Sequence, residues 1–172
     1  MKTCVVLTSC IALVLGLSTV ANAQLKAGSA EEASYVKIDA EKNADSKLTL
    51  LLDFEKTYPS VNSKVLANIF MMAMDICSEK DNKPKIAEYG DKAITKDPDN
   101  ISALLRVSRN YAAERTNLPK AAEYAEKAKK LIEEMRKDPT PLGQSEADYK
   151  KWLDLNAASA DQMISYVKAI SR

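Results

Sequence analysis

Apolar side chains recur every three or four residues along most of this chain and almost nowhere in alternation. Ile69, Met72, Ala73 and Ile76 form one such stripe, and Ile86, Tyr89 and Ala93 form the next. Leu104, Val107, Ser108 and Tyr111 follow, then Ala121, Tyr124, Ala128 and Leu131. Spacings of three and four place each set on one face of a helix. Fainter stripes lie upstream (Leu48, Leu51, Leu52 and Phe54, before Tyr58-Pro59) and downstream, at Tyr149, Trp152, Leu153 and Leu155 and at Met163, Ile164, Val167 and Ile170. After residue 28 glycine occurs only at Gly90 and Gly143, and β-branched alternation is absent. Ala, Leu, Lys and Glu dominate, so the chain from about residue 31 is predicted to be nearly all helix. Pro59, Pro84, Pro98, Pro119 and the Pro139/Pro141 pair punctuate it where helices should begin or end.

Two of these helices are copies. Residues 82–93, NKPKIAEYGDKA, recur at 117–128 as NLPKAAEYAEKA, with eight identities at a constant offset of 35. Asn82 and Asn117 are placed to cap their helices, and Pro84 and Pro119 fall in the first turn, where a missing N–H costs nothing. Lys85, Glu88 and Lys92, with their counterparts Lys120, Glu123 and Lys127, point away from the apolar stripe. The helices immediately upstream share the same offset, each running large, large, small, large: Ile69, Met72, Ala73, Ile76, then Leu104, Val107, Ser108, Tyr111. The unit is a helix, a short turn, a second helix and a proline-containing turn. A fixed period of this size marks stacked helical units that cannot bury their apolar faces alone. Arrays of this kind commonly bind other proteins.

The pattern resembles the tetratricopeptide repeat family. Leu104, Val107-Ser108 and Tyr111 fit the first-helix motif, and Ile86, Gly90, Ala93 and Pro98 fit the second. Gly90 and Ala125 stand where an aromatic is usual, and the period exceeds the family's usual length by one residue. The resemblance implies an all-α, right-handed superhelical array of antiparallel helix pairs, an α-solenoid. About three pairs and a C-terminal helix or helices are expected: a degenerate unit at 31–59, units at 64–98 and 99–136, and 145–172 at the end, after a short linker at 24–30. Ser29-Ala30-Glu31-Glu32 is a possible capping box for the first helix, and Ser145 a cap for the last, after the Pro141-Leu142-Gly143 turn. In the family, first helices line a concave groove. Carried over, the partner-binding positions are Phe70, Met74 and Cys77 from one unit and Leu105, Arg109 and Ala112 from the next. Equally, Phe70 and Leu105 can be core residues on broad apolar faces. Met71, Met72 and Met74 can form an adaptable binding surface or fill a helix interface. For the Lys/Asn/Arg set with which some family members grip a C-terminal carboxylate, only Arg106, Arg109 and Asn110 offer themselves.

Chemistry is scarce. Histidine is absent, and of three cysteines only Cys77 lies beyond the apolar start of the chain, which removes Cys/His metal sites and histidine-based triads from the remainder. No glycine-rich phosphate loop is present, and Asp97-Pro98-Asp99-Asn100 lacks the glycine and distal glutamate of a calcium loop. Neither an enzyme nor a cofactor is expected. Lys+Arg number 25 against 24 Asp+Glu, which gives no reason to expect nucleic acid or an anionic membrane as partner.

The start reads as a secretory signal peptide, residues 1–23: Lys2, an apolar stretch at 4–17, and Ala21-Asn22-Ala23 as the cleavage site. Leu7-Thr8-Ser9-Cys10 has the letters of a lipobox, but Ile11 to Val20 continue the apolar stretch that a lipobox should close. The expected product is periplasmic or secreted, without a stable membrane span, and resembles the small exported tetratricopeptide proteins of bacteria. It keeps one cysteine, Cys77, either packed as a small hydrophobe or available for an intermolecular disulfide. The expected function is a non-catalytic scaffold that holds a peptide or protein. The alternative is self-assembly through 145–172, because Met163, Ile164, Val167 and Ile170 must either fold back on the preceding pair or meet another chain.

Overall fold

The computed structural model describes residues 25–141 and 143–171. The signal-peptide reading, with Cys4 and Cys10, lies outside them. The described residues form seven helices and no strands: α1 (Ala30–Ala40), α2 (Ala44–Thr57), α3 (Ser63–Glu79), α4 (Lys83–Lys96), α5 (Ile101–Ala113), α6 (Leu118–Met135) and α7 (Glu146–Ile170). No described helix is long and apolar enough to cross a membrane.

The starts are set by capping. Asn43, Asn62, Asn82 and Asn100 each accept a backbone N–H two or three residues on, and Ser29 and Ser145 do the same. Ser29 takes the N–H of Glu32 at 3.2 Å while Glu32 Oε2 reaches back to the N–H of Gly28 at 2.6 Å, a capping box displaced by one residue. Asn117 departs from expectation. It sits in the left-handed region (φ 43°, ψ 49°), and its side chain makes no capping bond. A tight turn after Glu114, with Arg115 also at positive φ, uses the tolerance of asparagine for this conformation in place of its cap. The C-terminal segment is one unbroken helix of 25 residues.

Helices pack in chain order. α1 lies on α2, α3 on α4 and α5 on α6, and successive hairpins meet through α2–α3 and α4–α5. α7 closes the end by lying against both α5 and α6. The main core runs from Leu25 through Tyr35, Phe54, Phe70 and Leu104 to Tyr149 and Leu153. A smaller cluster gathers Ala112, Ala121 and Ala125 against Met163 and Val167 of α7. The terminal helix thus folds back on the preceding pair, its apolar run supplying the cover that an open array end needs.

Two features tie the second hairpin to the third. A Cβ on Gly90 would overlap Val107 Cγ2 and lie 3.1 Å from Met74 Sδ. Glycine here lets α4 approach α5 closely. Beside it, Asp91 accepts from the Tyr111 hydroxyl at 2.7 Å, Lys120 Nζ at 2.7 Å and the Tyr124 hydroxyl at 2.9 Å. One carboxylate therefore joins α4, α5 and α6. Buried Ser108 donates to the Ala121 carbonyl at 2.7 Å, and Asn110 to the Lys83 carbonyl at 3.1 Å, so both polar residues of the interior are satisfied.

Candidate functional site

The first helices of the three hairpins, α1, α3 and α5, border a cleft of about 680 Å³. Its floor is α3, through Asn68, Met71, Met72, Asp75 and Ile76. Tyr35 and Asp39 of α1 form one wall; Ser102 and Arg106 of α5, with the cap Asn100, form the other. Glu41, Lys42 and Lys47 stand where α1 turns into α2. Spacings of 68, 71, 72, 75 and 79 put these α3 residues on a single face. Met71 and Met72 are half-buried, which leaves two flexible thioether chains on the floor.

Charge around the cleft is mixed and partly committed. Arg106 is ion-paired with Asp75 across the α3–α5 gap. Lys47 Nζ donates to the Asp39 carbonyl at 3.4 Å, and Glu41 Oε1 accepts the Asn43 N–H at 2.7 Å. Burial, reinforced by the charge of Asp39, pushes the Tyr35 hydroxyl up to about 12, so the wall presents a neutral phenol at physiological pH. An apolar floor with one ion pair and several further charges at its margins offers shape and dispersion contacts.

The positions expected to line a groove lie elsewhere. Phe70 and Met74 are 1% and 0% exposed, and Cys77 is buried with them. Phe70 lies under Lys92 of α4, whose Nζ is 5.2 Å from the ring centroid. Met74 meets α4 at Gly90, and the Cys77 thiol feels Lys85 and Glu88. These three residues are thus the α3–α4 seam and not the cleft. Their counterparts follow suit: Leu105 is in the main core, and Ala112 packs on Ala121 and Ala125. Of the six, only Arg109 is exposed, and it donates to Ser159 of α7 at 3.1 Å. The physical reason is the breadth of the apolar arc on α3, which is sandwiched between α4 and neighbouring hairpins. Periodicity detects such an arc without saying which edge stays open. The polar residues mark that edge: Asn68, Asp75 and Glu79 share it, and Met71 and Met72 lie between them.

Other expectations also resolve. Arg106, Arg109 and Asn110 are not brought together, because each bonds a different element. Cys77 is packed, and burial raises its thiol above the ordinary value, with Glu88 adding to the shift against Lys85 and Lys80. Among the described residues no group of three or more His, Cys, Asp or Glu is placed to hold a metal ion.

No family model, curated protein or solved structure matches this chain.

Proposed function

We propose that this chain is a non-catalytic adaptor of tetratricopeptide type, working after export, that holds an apolar peptide segment in the cleft between α1, α3 and α5. The reading of the array as a right-handed superhelix belongs to this proposal. Its support is the 35-residue repeat together with hairpins that pack in chain order. The observation that carries the binding function is the floor of Met71 and Met72 between Tyr35 and Arg106. Unbranched methionine side chains adapt to varied apolar partners. The cleft volume suits a few side chains rather than a whole domain. Since Asp75 already neutralises Arg106, recognition rests on an apolar cluster in the peptide, with polar flanks meeting the mixed margin.

The test is a displayed library of random peptides panned on the folded protein. Sequences with clustered apolar residues should be enriched, and Met71→Glu with Met72→Glu should weaken their binding at least ~10-fold, the scale of a small hot spot. Circular dichroism should show the variant still folded, with a lowered melting point because both side chains also pack against the main core. Equal binding by the double variant, or enrichment of no peptide, would remove the cleft as the site.

A further inference from the structure

α7 carries most of the exposed apolar surface among the described residues. Among the described residues four large hydrophobic side chains are exposed, and three of them belong to α7: Trp152, Leu155 and Tyr166, at 37%, 62% and 43%. They fall on one line. Trp152, Leu155, Ser159, Gln162, Tyr166 and Ala169 are spaced three, four, three, four, three, which is a heptad seam over three repeats. None of the six is charged. This seam differs from the face that α7 buries on α5 and α6, which is Tyr149, Leu153, Ala160, Met163 and Val167. A single helix thus carries two apolar stripes, of which the chain itself covers one.

We propose that a second copy of this chain covers the other, through an antiparallel α7–α7 pair. The order of residue sizes selects this occupant and this direction. Run antiparallel about a two-fold axis between Ser159 and Gln162, the seam sets Trp152 against Ala169 of the second copy. Leu155 meets Tyr166, and Ser159 meets Gln162. Each layer then joins a larger side chain to a smaller one or two polar groups to each other, as close packing requires. Ser159 already accepts from Arg109, which leaves its hydroxyl proton free to donate to the Gln162 amide oxygen of the second copy. A parallel pair would stack Trp152 on Trp152 and leave Ser159 facing Ser159. The antiparallel arrangement also repeats how each internal hairpin closes. Such an interface is isologous and closed, stopping at two copies. It shares no residue with the α1–α3–α5 cleft, so both clefts stay open in the pair.

The decisive experiment exchanges charges across one layer of the full chain. Wild type should sediment at twice the chain mass at about 50 µM and dissociate on dilution, in the range of a modest interface. Emission from Trp152, the sole tryptophan, should shift to the red in step. Leu155→Lys alone and Tyr166→Glu alone should each weaken association at least ~10-fold with helical content retained, since both positions are exposed in the single chain. The double variant L155K/Y166E should recover association, because antiparallel pairing sets the introduced ammonium of one copy beside the introduced carboxylate of the other. Parallel pairing would oppose like charges and give no recovery. A wild type that stays monomeric at that concentration, a dimer indifferent to Leu155→Lys, or failure of the double variant to recover overturns the proposal. The first of these outcomes leaves the seam to a different protein or to solvent.

Discussion

α4 and α6 begin with nearly the same twelve residues, yet they are used differently. Gly90 of α4 sits where a single added carbon would strike Val107. Its counterpart Ala125 keeps its methyl group, buried in the cluster with Met163 and Val167. Asp91 collects two phenols and an ammonium from the next hairpin, while its counterpart Glu126 is exposed. Asn82 caps its helix, whereas Asn117 gives up the cap to make a left-handed turn. Shared Ala93/Ala128 and the rings of Tyr89/Tyr124 are buried in the core, while the Tyr124 hydroxyl and the shared Lys120 also reach back to Asp91 of the preceding hairpin. The differing residues track what comes next: α5 approaches α4 closely, and α6 is followed by a long single helix. The positions that differ between the copies are those that face the helix coming next.

The comparison breaks most sharply at Asp91. Asp91→Ala should cost about 2–3 kcal/mol by urea unfolding, because three donors lose a charged acceptor, while Glu126→Ala should stay within about 0.5 kcal/mol. Equal losses would mean that the carboxylate does not join the hairpins. Next is Gly90→Ala, expected to lose about 1–2 kcal/mol as overpacking outweighs the helix propensity gained. Paired with Val107→Ala, its cost should fall below the sum of the two singles, whereas Ala125→Gly combined with Val107→Ala should be additive. Asn82→Ala should then cost about 1 kcal/mol, and Asn117→Ala less, since only the first removes a capping bond.

The smallest effect is alkaline. Burial, with the hydrogen bond to Asp91 second, raises the Tyr111 hydroxyl from 10.0 to about 12. A group with a raised folded pKa contributes stability that is complete below pH 10 and lost as pH climbs towards 12. Tyr35 titrates over the same window. Thermal melts between pH 9 and 12 should therefore fall less steeply for Tyr111→Phe than for wild type. An unchanged slope would assign the alkaline loss to Tyr35 and other groups.

Helix positions were legible because each has its own apolar stripe, and prolines and asparagines mark the ends. Pro84, Pro98 and Pro119 fall as read, and Ser145 caps α7 as read. The fold-back of α7 was one of two open options, decided by small Ala112, Ala121 and Ala125 presenting a smooth bed for Met163 and Val167. The cleft was mostly illegible. Its floor and the α3–α4 seam are both apolar, and one residue of register separates Phe70 from Met71. The sequence left the methionine cluster as either an adaptable surface or interface filling, with Met72 on the packed stripe and Met74 towards the other face; the structure has the reverse, Met71 and Met72 at the cleft and Met74 interior. Arg106 could not be assigned from sequence, because its partner Asp75 lies 31 positions away and on another helix.

Chain-order packing also sets how the molecule can be made. Every described helix packs on its immediate neighbours along the chain, and only α7 also reaches one helix further back, so a growing chain can complete each hairpin as it emerges, without waiting for a distant segment to close a loop. The exception is the last step. Until α7 arrives, Ala112, Ala121 and Ala125 face water, and the array has an unfinished end. A chain cut within the loop at 137–145 would therefore keep its first hairpins yet expose a sticky terminus. Arrival of the 25 residues of α7 is what covers that alanine surface.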